Sequence, residues 1–191
     1  MKKVVAFMHV SLDGYAAGPN GEMDWIKVDE EMFDYVATLI SESEIALYGR
    51  VTYELMENYW PTAADQPDAT KHDIEHAKWY KKVKKAIVSK TMKDVKLPNT
   101  TIISDNFSEK IKALKQETEN DIILFGSPSV ARALTAENLI EVYWLFINPI
   151  LLGKGKKIFD VIGAPIPLRL LTSKTFDSGV ICLQYEVNNS K

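Results

Sequence analysis

The sequence predicts an α/β fold, with a mostly parallel central sheet, helices on both faces and an antiparallel C-terminal hairpin. Three observations predict it. Short apolar runs alternate with stretches of helical spacing from Val4 to Leu134. Two of those runs end in a glycine turn that opens a helix: Glu44 to Tyr48 then Gly49-Arg50, and Asp121 to Phe125 then Gly126-Ser127-Pro128. Past Pro149 the helical spacing stops, and two strand-like segments flank Asp177-Ser178-Gly179, a hairpin signal.

Element by element, Val4 to Val10 is almost continuously apolar, as a central strand covered on both faces must be. Asp13-Gly14 and Gly18-Pro19-Asn20-Gly21 mark a turn-rich loop. Asp29 to Ile40 carries Met32, Phe33, Val36, Leu39 and Ile40 at helical spacing. Strands and helices then alternate: strand Ile45 to Tyr48, helix Thr52 to Tyr59, loop Pro61 to Pro67, helix Ala69 to Tyr80 and strand Ala86 to Val88. Strand Thr100 to Ile103, helix Ser108 to Lys115, strand Ile122 to Phe125, helix Ser129 to Leu134 and strand Val142 to Ile147 follow. Gly153-Lys154-Gly155-Lys156 is a loop, and Arg169 to Phe176 and Val180 to Val187 form the hairpin. No repeat or linker divides residues 1–191, so they are expected to form one domain.

Composition narrows the function. The formal net charge of −3 leaves no basic excess for nucleic acid. No run approaches the ~20 apolar residues of a membrane helix. The Met1 to Val10 segment imitates a signal peptide but lacks a small-residue cleavage site, so a cytoplasmic protein is expected. Cys182, alone of its type, sits in an apolar run as a buried, inert thiol. His9, His72 and His76 do not make a metal set, and Lys81 to Lys85 reads as a solvated surface.

Two strand–glycine–helix turns of the same polarity place bare backbone N–H groups along one sheet edge, where an anion or a dinucleotide can lie. Ser127 is suited to the N-cap and Pro128 to the first helical position; the same turn also serves as a well-capped helix start with nothing bound. At the other turn Gly49 admits a phosphate, Thr52 can hydrogen-bond it and Arg50 can pair with it bidentately. Ser89-Lys90-Thr91, after a third strand, can receive another phosphate.

In order along the chain, Ser11-Leu12-Asp13-Gly14, Met23-Asp24-Trp25, Gly49-Arg50-Val51-Thr52-Tyr53-Glu54, Val88-Ser89-Lys90-Thr91, Phe125-Gly126-Ser127 and Asn148-Pro149-Ile150-Leu151-Leu152-Gly153-Lys154-Gly155 resemble the dihydrofolate reductase superfamily. The nearer likeness is to the reductase domain of the bifunctional riboflavin-biosynthesis deaminase–reductase and its stand-alone relatives. The resemblance implies a three-layer dihydrofolate-reductase-like fold and hydride transfer from NADPH to a nitrogen-rich heterocycle or its ribosyl derivative, as in 5-amino-6-(5-phosphoribosylamino)uracil reduction. It implies a cofactor groove lined by Gly49, Arg50, Thr52, Ser89, Lys90, Gly126, Ser127, Ser129 and Val130. It also implies a homodimer, for which Val142 to Ile147 and the hairpin offer surface. Ser127 stands where a second glycine is usual, and Lys154 interrupts a usual glycine pair. The His-x-Glu and Pro-Cys-x-x-Cys deaminase signature is missing from the sequence.

On the substrate side the resemblance places Asp13 and Trp25 beside the nicotinamide. The acid that follows the matching tryptophan in dihydrofolate reductases falls here on Glu30, between Asp29 and Glu31. Glu30 can protonate an imine or anchor an aminopyrimidine; equally, all three acids suit a helix N-terminus. Two further readings therefore stand beside the riboflavin-type reductase: a pterin or dihydrofolate reductase using Glu30, and an NADPH-binding protein without turnover.

Overall fold

The computed structural model describes residues 2–92, 97–160 and 162–188. In chain order the elements are β1 (Val4–Ser11), β2 (Tyr15–Ala17), α1 (Glu30–Ile40), β3 (Ile45–Gly49), α2 (Arg50–Ala63), α3 (Lys71–Lys82), β4 (Lys84–Val88), β5 (Thr100–Ile103), α4 (Phe107–Glu117), β6 (Ile122–Phe125), α5 (Pro128–Ala136), β7 (Val142–Asn148), β8 (Lys156–Lys157), β9 (Leu168–Thr175) and β10 (Ile181–Val187). The main sheet runs β5-β4-β3-β6-β1-β7-β10-β9. From β5 to β7 every neighbouring pair is parallel; β10 joins β7 antiparallel and turns into β9.

Both sheet faces are covered, which is why the inner strands read as unbroken apolar runs. One core holds Met32, Val36 and Ile40 of α1, Tyr53 of α2 and Tyr80 of α3 against Val5, Tyr48, Phe125, Trp144 and Phe146. The other holds Ile111 of α4 and Val130, Ala131 and Leu134 of α5 against Val4, Ala6, Met8, Leu47 and Leu124. Successive residues of β1 thus enter opposite cores, the two-residue period of a strand.

The connections position the site. The chain leaves β3 through α2 on one face and leaves β6 through α5 on the other, and these strands are neighbours. Adjacent loops that diverge to opposite faces open a crevice at the carboxyl ends of the strands. Gly49 and Gly126 stand at that crevice.

The structure departs from the sequence expectations at four places. Helix α2 continues through Pro61 to Ala63 instead of giving way to a loop. Pro61 lies in the final turn, where its missing N–H forfeits a single bond, and Ala63 is buried there. The Lys81 to Lys85 segment is not wholly solvated: Lys84 opens β4, Val83 is buried, and Lys85 is buried with its amine donating to the Tyr80 carbonyl at 2.7 Å and lying 4.2 Å over the Tyr80 ring. Burial pulls the Lys85 amine below its usual pKa. The β2–β8 ladder, two short antiparallel pieces, is too brief to leave a hydrophobic period. Finally, β7 offers no free edge, because it lies between β1 and β10 and its first three residues are buried; β9 is the exposed edge strand. Cys182 is buried and accepts from Trp144 Nε1 at 2.7 Å, and burial pushes its thiol up to about 11.

Candidate active site

The crevice brings together the residues that the two glycine turns pointed to, but with different bonding. Ser127 occupies the N-cap position of α5 without capping it. Its hydroxyl turns sideways, accepting the Gly49 N–H at 2.8 Å and donating to the Phe125 carbonyl at 3.0 Å. The expected serine cap is therefore a cross-link between the ends of β3 and β6, and the Gly49 N–H is engaged rather than bare. Parallel strands that both end at this level leave one unpaired donor and one unpaired acceptor there, and the hydroxyl satisfies both.

Ser127 has φ 58°, in the left-handed region that favours glycine, which accounts for the glycine usual at this position in the resembled family. Gly49 is required for another reason. A Cβ there would lie 3.0 Å from Val130 Cγ2, so its absence lets the first turn of α5 seat on the end of β3. Thr52 approaches Gly126 from the first turn of α2. Ser129 is exposed on α5 above the buried Val130.

Helices α2 and α5 thus start side by side with no side-chain cap. Helix α4 also lacks a side-chain cap, whereas Asp29 caps α1 and Thr70 closes a capping box on α3. Uncapped first turns leave N–H groups for a ligand, in α5 that of Ser129, because Pro128 has none and Val130 donates to the Ser127 carbonyl at 2.9 Å. Ser89, at the end of β4, donates its N–H to Ile103 and accepts the N–H groups of Thr91 and Met92 at 3.2 and 3.0 Å, closing a tight turn with Lys90 exposed at its tip. Arg50 pairs with Glu54 at 2.8 Å, one turn along the surface of α2.

The substrate-side residues separate into clamps and free groups. Asp13 accepts from Ser11 Oγ at 2.6 Å, Gly153 N at 2.8 Å and Leu152 N at 3.1 Å. These donors, led by Ser11, lower its pKa to about 2. Asp13 therefore ties the loop after β1 to the 150s loop as a carboxylate. Because its folded pKa lies below the ordinary value of 3.8, its stabilisation is fully present above about pH 4 and is lost as pH falls toward 2. Acid titration should release this loop pair over that window, seen as faster amide exchange at Leu152 and Gly153. Asp13→Asn should remove the dependence; a wild-type profile in that variant would show that another group controls the loops.

Trp25 is half-buried and donates Nε1 to the Glu22 carbonyl at 3.1 Å. Glu30 is exposed at the first position of α1, and Glu31 pairs with Lys174 at 2.8 Å. The acid turned into the protein is Asp29. Its Oδ1 accepts the Met32 N–H at 2.8 Å, and its Oδ2 is buried beside Ser178 of the hairpin turn.

Two residues named in the sequence were given no role at the site. Asn148 is fully buried at the end of β7; its Oδ1 accepts the Lys27 N–H at 2.9 Å, and its Nδ2 donates to Phe146 and Val10 carbonyls. It pins the segment after Trp25 to the strand ends. His9 lies on β1, stacked on Phe146 with centroids 5.0 Å apart and edge-on to Phe7 at 5.7 Å. Each is a polar residue in or at the end of an apolar strand, the signal that would have found them. His72 and His76, on α3, instead pack against Phe33 and Trp60 at 3.7 and 4.0 Å.

The RibD C-terminal domain model matches residues 2–182. The chain belongs to the RibD C-terminal domain family. Among relatives, it is 32% identical to the uncharacterized protein YyaP of Bacillus subtilis (strain 168), over 98% of this chain and 96% of that one. Among solved structures, a Shewanella sp. PV-4 protein with a provisional riboflavin-biosynthesis name aligns with TM-score 0.73 at 18% identity, covering 98% of this chain and 99% of its own. The Thermotoga maritima diaminohydroxyphosphoribosylaminopyrimidine deaminase/5-amino-6-(5-phosphoribosylamino)uracil reductase aligns with TM-score 0.68 at 11% identity, over 98% of this chain and 57% of the larger protein. These likenesses establish the dihydrofolate-reductase-like, RibD-type fold. Among the described residues no helix is long and apolar enough to cross a membrane.

Proposed function

We propose that this protein is an NADPH-dependent reductase of the riboflavin type, acting on a nitrogen-rich heterocycle or its ribosyl derivative. The observation that carries the reading is the pair of uncapped helix starts, α2 and α5, meeting across the crevice between β3 and β6. In this reading their N–H groups hold the pyrophosphate, with Gly126, Thr52 and Ser129 around it. Bound NADPH supplies the hydride. The chain's own contribution is to place the acceptor ring under α1 and to exclude water with the segment that Asn148 pins. Membership of the RibD C-terminal domain family supports the riboflavin type. The pterin-type alternative needs an inward acid at Glu30, which is exposed.

Selectivity for NADPH over NADH is assigned to Arg50 and Lys90, the cations flanking the ends of β3 and β4. The Arg50–Glu54 pair is exposed, and such pairs contribute about 0.2–1 kcal/mol, so Arg50 exchanges it readily for a phosphate. Charge-assisted bonds to phosphate contribute roughly 1.5–3 kcal/mol. Arg50→Ala or Lys90→Ala should therefore weaken NADPH about tenfold to a hundredfold and leave NADH nearly unchanged. Titration of both cofactors, with NADPH oxidation against dihydropterins, aminopyrimidine ribosides and flavins, tests the reading. Equal weakening of both cofactors would move the 2′-phosphate elsewhere, and silence across the panel would reject the reductase.

A further inference from the structure

We infer that His9 reads the ring edge of the substrate, its Nδ1 hydrogen-bonding one polar group (an N–H or a C=O) of an uncharged flat heterocycle held against β1. The inference rests on the reductase reading above and adds to it the residue and the chemistry that select the ring.

Position comes first. Val5, Phe7 and His9 share one face of β1, the face covered by α1, α2 and α3. Phe7 is level with Phe125, the last residue of β6, and its carbonyl receives the Gly126 N–H at 2.9 Å. His9 is therefore two residues beyond the level of the end of β6, near the carboxyl end of β1 and beside Phe146 of β7. Phe7 and Phe146 flank it as an apolar floor, and Phe125 packs behind Phe7.

The chemistry of the side chain follows from its surroundings. Its Nδ1 is buried and has no hydrogen-bond partner. Buried polar side-chain atoms in folded proteins are nearly all paired, so an orphan beside a candidate site calls for a ligand. Its ring partners are Phe7 and Phe146, which offer neither charge nor hydrogen bond. Burial lowers its pKa to about 4, which keeps the ring neutral near pH 7. A neutral imidazole has one donor and one acceptor. The two ring nitrogens point apart, so the unpaired Nδ1 serves one polar group, an N–H or a C=O, on the edge of an uncharged ring. A phosphate or carboxylate would find no countercharge beside this neutral ring and its phenylalanine neighbours, so its desolvation would go uncompensated. The uncharged ring of a ribosyl-phosphate substrate therefore belongs at His9, against the Phe7 and Phe146 rings, and its phosphate at a cation.

The probe is 5,6-diaminouracil, a lactam ring without phosphate, titrated calorimetrically into wild type, His9→Phe and His9→Asn, with ribose 5-phosphate in parallel. His9→Phe preserves the aromatic floor and should weaken the ring at least tenfold. His9→Asn restores a neutral donor–acceptor group and should recover most of that loss. Ribose 5-phosphate should respond equally in all three proteins. In the wild type, the His9 Nδ1 resonance of ¹⁵N-labelled protein should shift on adding the ring, a readout that needs no variant. An unmoved Nδ1 resonance, or unaltered ring affinity in His9→Phe, would overturn the inference, as would a wild type that does not bind the ring. Ring binding without NADPH oxidation would reject the reductase and leave the role of His9 standing. NADPH oxidation with unchanged KM in His9→Phe would do the reverse.

Discussion

Replacing Ser127 with alanine should destabilise the protein by about 2–6 kcal/mol. The hydroxyl joins the Gly49 N–H to the Phe125 carbonyl, and both bonds lie in the buried end of the sheet. Its loss strands one donor and one acceptor, at roughly 1–3 kcal/mol each. For a domain of this size each kcal/mol shifts the midpoint by about 2–4 °C. Ser127→Gly loses the same cross-link but relaxes a left-handed backbone that costs a side-chain residue roughly 1–2 kcal/mol. Glycine should therefore be the milder change, and it releases the Gly49 N–H toward the crevice. Under the proposed function, NADPH affinity in Ser127→Gly should hold or rise while stability falls. Urea unfolding of both variants checks this. If alanine and serine are equally stable, the hydroxyl does not bridge β3 and β6.

The contrast between what the sequence revealed and what it hid follows the range of each interaction. The strands were legible because β1, β3 and β6 are covered on both faces, so their composition records burial directly. The glycine turns were legible because strand, glycine and helix start are consecutive. The sideways bond of Ser127 was not, since it joins residues 78 apart that only the β3–β6 neighbourhood brings together. Asn148 reaches Lys27 across 121 residues for the same reason. Glu30 was chosen by its offset from Trp25, whereas the local signal, an aspartate just before Glu30 and Glu31, marked Asp29 as the cap that turns inward. Pro61 was read as a stop because local rules do not show that a helix can finish its last turn around a proline.

Replacing Gly155 with alanine should open the β2–β8 ladder, which straps the loop after β1 to the 150s loop beside the proposed substrate edge. Gly155 has φ 144°, and a Cβ there would overlap the Ala17 carbonyl oxygen and crowd Gly18. Those are backbone atoms of the partner segment, so no side chain can swing aside. Overpacking costs about 1–3 kcal/mol, and the disfavoured backbone adds to it. The strain falls on the β2–β8 ladder, in which Tyr15 faces Lys157 and Ala17 faces Lys156. It spreads to the Leu12–Ile150 and Ile158–Gly14 backbone bonds and to the Asp13 clamp. The strap can open without unmaking the sheet, so the damage should be local: amide exchange at Leu12, Leu152, Gly153 and Ile158 should quicken on the order of thirtyfold for a loss of ~2 kcal/mol. The unfolding midpoint should move much less. Gly153→Ala is the control, because a Cβ there meets open space and only its φ of 70° opposes the change. NADPH affinity should survive in Gly155→Ala, since α2 and α5 are not part of the strap, while turnover falls because the strap flanks the end of β1. Equal exchange in the two glycine variants would show that backbone conformation, not the close approach to Ala17, sets the requirement at Gly155.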